Sequence, residues 1–181
     1  MRDLSLHLLD LTMNSIRAHA SNIEIQLIEK MEINQLILII KDNGCGMNEE
    51  MVKEAQNPFF TTRTTREVGL GLSLLSAMTE RCGGQLVIKS SIGKGTEVMA
   101  SLTLNHIDCP PFGDVHNTLI SLIYLEPTLE FKYIHQNDCQ EYCFDTAEVK
   151  AVLGDIPINH PSIMEWIQME LSEGDFSFNS Y

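Results

Sequence analysis

The feature that most limits what this chain can become is an apolar run, Leu36-Ile37-Leu38-Ile39-Ile40. Two residues later it ends in Asp42-Asn43-Gly44-Cys45-Gly46-Met47. The run reads as a buried strand. Two glycines one residue apart then let the backbone turn sharply and approach a ligand closely. A carboxylate at a strand end, beside bare backbone, suits a planar ligand with an exocyclic amine. Ionised Asp only accepts hydrogen bonds, so Asp42 can select an amino group such as that of adenine. Asp-Asn-Gly is also an ordinary turn sequence, and alone the stretch does not decide between turn and site.

The 181 residues suit one domain with an appendage or two small domains, and 44% hydrophobic residues suffice for a core. No run approaches the roughly 18 apolar residues of a membrane span. The amino terminus lacks the layout of a signal peptide. Five cysteines at irregular spacing do not resemble a secreted disulfide framework, so a cytoplasmic protein with reduced thiols is expected. Charge is unevenly spread: residues 1–105 hold 10 Lys and Arg against 12 Asp and Glu, and residues 106–181 hold 2 against 13. That acidic second part, with a net charge of −11, argues against nucleic acid, whose phosphates need clustered Lys and Arg. Cys109-Pro110-Pro111-Phe112-Gly113 supplies linker-like punctuation at the break.

Leu4 to Ala20 has the spacing of a helix, and Asp3, His7, Asp10, Asn14 and Arg17 fall on one face of it. That face is either solvated or turned to a site. In the second case Asp10 is a base, Asn14 offers an oxygen to Mg²⁺ and Arg17 reaches a phosphate. One amide ligand is enough for Mg²⁺, which keeps several waters. Ile23–Ile28 reads as a strand, and Asn48–Gln56 as a short helix. Asn57-Pro58-Phe59-Phe60-Thr61-Thr62-Arg63 fits either a loop that closes over a ligand or one whose aromatics anchor it to the core. Gly69-Leu70-Gly71-Leu72 opens a helix whose free amides make a ready phosphate site. Gly93-Lys94-Gly95-Thr96 reads as the turn between two strands, Gln85–Ser90 and Thr96–Leu104.

In this order the segments resemble the GHKL superfamily, the ATP-binding fold of gyrase, heat-shock chaperones, histidine kinases and mismatch-repair ATPases. Asp10-Leu-Thr-Met-Asn14-Ser15-Ile-Arg17-Ala18 is similar to its N box, and Asp42-Asn-Gly44-Cys-Gly46-Met to its first glycine box. Pro58-Phe-Phe-Thr-Thr-Arg63 resembles the F box of histidine kinases, and Gly69-Leu-Gly71-Leu the second glycine box. The resemblance covers about residues 4–104. It implies a two-layer α/β sandwich of the Bergerat type over residues 1–105, with a small acidic α+β appendage over 106–181. It also implies ATP and Mg²⁺ as cofactors. Asp42 would hold the adenine amine while Gly44 and Gly46 admit the ring and Thr96 supports the pocket. Asn14 would bind Mg²⁺, and Gly69, Leu70 and Gly71 would cradle phosphates. Residues 48–68, with Phe60, Thr61, Thr62 and Arg63, would form a lid.

The sequence departs from the family in places. The helical hairpin that bears a histidine kinase's phosphoacceptor is expected to be absent, as is the usual preceding strand. Glu67 stands where the kinase pattern has a glycine. Asp10 is one methylene shorter than the Glu base of the gyrase and anti-sigma branches, which could weaken turnover without harming ATP binding. The expected function is a phosphotransfer or ATPase component in signalling that acts on a separate protein. The alternatives are an anti-sigma-like serine/threonine kinase and a non-catalytic ATP-gated switch.

The acidic part is expected to dock a protein partner with a basic face. Within it, Leu119–Leu125 and Leu129–Ile134 read as a hairpin across Glu126-Pro127. Asp145 would cap a helix ending at Gly154, and Pro161 would begin another. His135, Cys139 and Cys143 repeat every four residues, and His106 with Cys109 could add to a metal site. Scattered core or surface use is the commoner fate of such residues.

Overall fold

The computed structural model describes residues 3–56 and 71–175, which form one six-stranded sheet and six helices. The first part comprises α1 (Leu4–Arg17), β1 (Asn22–Lys30), β2 (Gln35–Asp42), α2 (Glu49–Gln56), α3 (Gly71–Arg81), β3 (Gln85–Ser91) and β4 (Gly95–Thr103). The second comprises α4 (Val115–Leu125), β5 (Glu130–Gln136), β6 (Glu141–Asp145), α5 (Thr146–Leu153) and α6 (Pro161–Gly174). Strand order is β3-β4-β2-β1-β5-β6, antiparallel throughout except for the parallel pair β1–β5.

The period-two pattern decides which face is covered. Ile23, Ile25 and Leu27 of β1 and Leu36, Leu38 and Ile40 of β2 are buried, as are Leu8 and Leu11 of α1, Leu75 of α3 and Leu122 of α4. Together they form one core between a sheet layer and a helix layer, the two-layer α/β sandwich that was expected. No described helix is long and apolar enough to cross a membrane. Helix α1 stops at Arg17, short of Ala20, because His19 takes a left-handed conformation (φ 57°). Asp3 is its N-cap, accepting from the Leu6 amide at 3.0 Å, and His7 is buried, so the polar stripe of α1 is not one solvated face.

The hairpin expected across Glu126-Pro127 is not formed. Leu119–Leu125 lies within α4, and only its second half survives, as β5. A short apolar run does not by its period distinguish a strand from a buried helix. What decides is that Val115, Leu119, Leu122 and Ile123 share one buried face, and that Asp114 caps the helix by accepting from the Asn117 amide at 2.9 Å. Both later helices begin as expected, Asp145 capping α5 and Pro161 opening α6, and α5 stops at Gly154.

The charge break between β4 and α4 is not a break in the sheet. Strand β5 pairs with β1 from Asn22↔Glu130 to Ile28↔Gln136, so the acidic part continues the sheet at the edge of β1 that β2 leaves open. The proline stretch is tied down as well, because the carbonyls of Pro111 and Phe112 accept from the amides of Leu4 and Ser5 at 3.0 and 2.9 Å. These are first-turn amides that have no acceptor within their own helix.

The Cys/His set does not converge on a metal. His135 faces the core from β5, Cys139 lies in the β5–β6 turn, and Cys143 pairs with Ile134 and so points to the opposite face. His106 bonds locally to the Asp108 amide at 3.1 Å. Burial, then the neighbouring Cys82 thiol, pushes Cys109 up to about 11, which keeps it protonated. Among the described residues no group of three or more His, Cys, Asp or Glu side chains could hold a metal ion.

His135 instead centres a buried polar network. Its Nε2 bonds Glu29 at 2.9 Å and its Nδ1 bonds Asp175 at 2.8 Å, while Asp175 also accepts from Tyr133 at 3.0 Å and pairs with His116 at 2.8 Å. Burial works against a charged imidazole, yet the bonds and charges of Asp175 and Glu29 outweigh it and raise the pKa of His135. Burial likewise opposes the Asp175 carboxylate, and the bonds from His116, His135 and Tyr133 reverse it and lower its pKa. The contribution of His135 is therefore complete below about 6.5, the unfolded imidazole value, and is lost as pH rises through the raised folded value. That of Asp175 is complete above about 3.9 and is lost as pH falls through its lowered value. The melting temperature, followed across pH, is expected to gain most from the network between these limits. Its alkaline decline is expected to flatten in His135→Gln.

Candidate functional site

Asp42 closes β2 and faces the core between Ile23 of β1 and Thr96 of β4. Its Oδ2 accepts from the Ser15 hydroxyl at 2.7 Å, and its Oδ1 accepts from the amides of Gly44 at 2.8 Å and Thr96 at 3.3 Å. An ionised carboxylate has about four acceptor sites. Three are filled by the protein, which leaves room for one more donor on a residue that lines a cavity.

The glycine turn after Asp42 is held from three sides. Asn43 Oδ1 accepts from the amides of Ser21 and Asn22 at 2.8 and 3.0 Å, which ties the turn to β1. The Cys45 amide donates to the Ala18 carbonyl at 2.8 Å, and the Gly93 amide donates to the Cys45 carbonyl at 2.7 Å. A Cβ on Gly44 would lie 2.7 Å from the Ala18 oxygen, and one on Gly46, at φ 68°, would lie 2.0 Å from the Ser91 oxygen. Neither neighbour is a flexible side chain. Gly46→Ala is therefore expected to cost about 2–4 kcal/mol of stability and to lower ligand affinity with it, measured by urea unfolding and titration.

The cavity has a volume of about 750 Å³. Leu11, Ile40, Met47, Leu72 and Val98 supply its apolar wall, and Asn14, Arg17, Asp42 and Thr96 its polar groups. Broad apolar surface with a few placed polar groups suits a small planar ligand. Of the residues singled out in the sequence, Asn14, Arg17, Asp42, Gly46 and Thr96 line it, and Gly44 adjoins Asp42. Arg17 Nη1 donates to Asn14 Oδ1 at 3.4 Å. Asp10 is not part of this wall. It lies against the first residue of α3, where a Cβ on Gly71 would come 3.2 Å from Asp10 Oδ2. Gly69, Leu70, Phe60, Thr61, Thr62 and Arg63 lie outside the described residues.

Sequence reasoning missed Ser15. The signal was there: Ser15 continues the stripe of Leu4, Leu8 and Leu11, and a polar residue on the buried face of a helix needs a partner. Ser90 was missed too. Its hydroxyl accepts from the Met47 amide at 2.8 Å and donates to the Gly95 carbonyl at 2.9 Å, joining the glycine turn to the β3–β4 hairpin.

Residues 2–106 match the family described as histidine kinase-, DNA gyrase B- and HSP90-like ATPase. A sensor protein of Shewanella frigidimarina is 38% identical over 103 residues, which are 56% of this chain and 16% of that protein. The autoinducer 2 sensor kinase/phosphatase LuxQ of Vibrio cholerae is 29% identical over 142 residues, 70% of this chain and 17% of LuxQ. The chain thus spans about a sixth of the length of these relatives. Among solved structures, the ATPase domain of Aquifex aeolicus MutL in complex with ADP aligns with a TM-score of 0.50 at 14% identity. That alignment covers 84% of this chain and 69% of the MutL chain and shows a shared fold.

Proposed function

The chain belongs to the histidine kinase-, DNA gyrase B- and HSP90-like ATPases, and we propose that it binds ATP with Mg²⁺ and acts in the cytoplasm as a phosphotransfer or ATPase component on a separate protein. The observation that carries this reading is Asp42, whose carboxylate keeps one acceptor site for a ligand amine after Ser15, Gly44 and Thr96 have taken the others. The adenine ring lies between the apolar walls, admitted by Gly44 and Gly46. Asn14 offers its amide oxygen to Mg²⁺, and Arg17 serves a phosphate. Gly69, Leu70 and Gly71 give backbone amides to the phosphates, and Phe60, Thr61, Thr62 and Arg63 belong to the lid. The donor set fits the metal, since Mg²⁺ in nucleotide sites takes few protein ligands. When bound, Mg²⁺ neutralises phosphate charge. Asp10 is the base, its carboxylate lying against Gly71 at the start of α3. The partner carries a basic face that meets the acidic residues 106–181.

ADP formation by the full chain with Mg-ATP tests this. ADP is expected from the native protein and, with ATP still bound, at least tenfold less from Asp10→Asn. Equal turnover in the variant rules Asp10 out as the base. No ADP from either, with ATP bound, favours the switch, a reading supported by Asp10 being short and outside the cavity wall.

A further inference from the structure

The open face of the sheet carries a pattern of its own. In register, Lys89 lies beside Glu97, Glu97 beside Lys41, Lys41 beside Glu24, Glu24 beside Lys132, and Lys132 beside Asp145. That is one charge per strand, alternating in sign across all six strands, with Lys89 and Glu97 in contact at 2.9 Å. Two residues along the strands, Val87, Met99, Ile39 and Ile134 lie in the next row, and Ile37 and Ile28 adjoin in the third. None of these apolar residues belongs to the core or to the side chains packed on it.

Alternating charges stabilise neighbouring strands, and that alone would explain a solvated face. The ladder has a second property. It runs over an even number of strands, so read backwards it is its own complement. A two-fold axis along the strands, between β1 and β2 and between two stacked sheets, lays Lys89 over Asp145 of the second copy. The same rotation lays Glu97 over Lys132, Lys41 over Glu24, Met99 over Ile134 and Ile37 over Ile28.

We propose that the chain forms an isologous dimer by stacking the open faces of two sheets. The occupant is a second copy because of charge. Each chain carries −13, so two copies repel over most of their surface. This row, three lysines against three carboxylates, is neutral and matches itself. Six strands about 4.8 Å apart and about 25 Å long offer roughly 600 Å² per copy. A standard stable interface buries about 800 Å² per partner, so the dimer is concentration-dependent. The core-facing cavity stays open in both copies.

Glu97 and Lys132 make the test. They lie on β4 and β5, with β2 and β1 between them, and do not touch within one sheet. Sedimentation of the native chain is expected to show a reversible monomer–dimer equilibrium, and Glu97→Lys and Lys132→Glu alone are each expected to stay monomeric. An equimolar mixture of the two variants is expected to dimerise, because each new charge then faces its opposite. A monomeric native chain, single variants that dimerise like the native chain, or a mixture without rescue would overturn the proposal. Should a variant fail to fold, methyl NMR of the native chain decides. Signals of Ile28, Ile37, Ile39 and Ile134 should shift with protein concentration while those of core Ile23, Ile25 and Ile40 stay fixed. Any other pattern would overturn it.

Discussion

Asp42→Ala is expected to lower affinity for Mg-ATP about a hundredfold or more, read by isothermal titration of the full chain. A hydrogen bond to a charged group is worth about 1.5–3 kcal/mol, or about 10- to 150-fold. Here more is lost than one bond, because the Ser15 hydroxyl and the Gly44 and Thr96 amides lose their shared acceptor. Asp42→Asn separates the two effects. Its carbonyl oxygen still serves both amides, and Ser15 can accept from its amide nitrogen, so folding is largely kept. The ligand amine, however, meets a donor instead of an acceptor. A comparable loss of ATP affinity in the folded Asn variant assigns the effect to recognition. Retained affinity in that variant would place Asp42 in a purely structural role.

The second large effect is expected far from the cavity. His135→Ala removes the group that, among the described residues, joins two buried carboxylates, Glu29 at 1% and Asp175 at 7% exposure. Asp175 keeps His116 and Tyr133, whereas Glu29 is left stranded, since its Oε2 already has no hydrogen-bond partner among the described residues. Breaking a buried pair by removing one partner costs about 3–5 kcal/mol. Urea unfolding near pH 6, where the network contributes fully, is expected to show a loss of that size. Asp175 follows the last residue of α6, so the loss should also loosen that helix from the sheet, visible as faster amide exchange along it. A change below about 1 kcal/mol would mean that the carboxylates find water or another partner.

What could be read from the sequence divides along physical lines. The strands β1 to β4, the helix before them and the glycine turn were legible because their signals are local: alternation of apolar residues, helical spacing, and glycines where φ is positive. Asp42, Asn14, Arg17, Gly46 and Thr96 line one cavity, and strand register carries Asp42 opposite Thr96. The failures involve long-range choices. Helix α4 reads equally as a strand because seven mostly apolar residues satisfy both periods, and its cap Asp114 tips the balance to a helix. The parallel pairing of β5 with β1 joins residues over a hundred positions apart, and no local pattern encodes it. His135 has Cys139 and Cys143 as neighbours in sequence, whereas its partners Glu29 and Asp175 lie 106 and 40 residues away.

The measurement that bears most directly on the function is a titration of the full chain with Mg-ATP and Mg-GTP side by side. Guanine presents a carbonyl oxygen where adenine presents its amine, so the Asp42 carboxylate would face an acceptor. A site built around a hydrogen bond rejects a ligand that leaves its polar group unmatched. Saturable binding of ATP, with GTP bound at least about a hundredfold more weakly, is the predicted result. Equal affinity for both nucleotides, or no binding of either, would contradict a nucleotide site organised by Asp42.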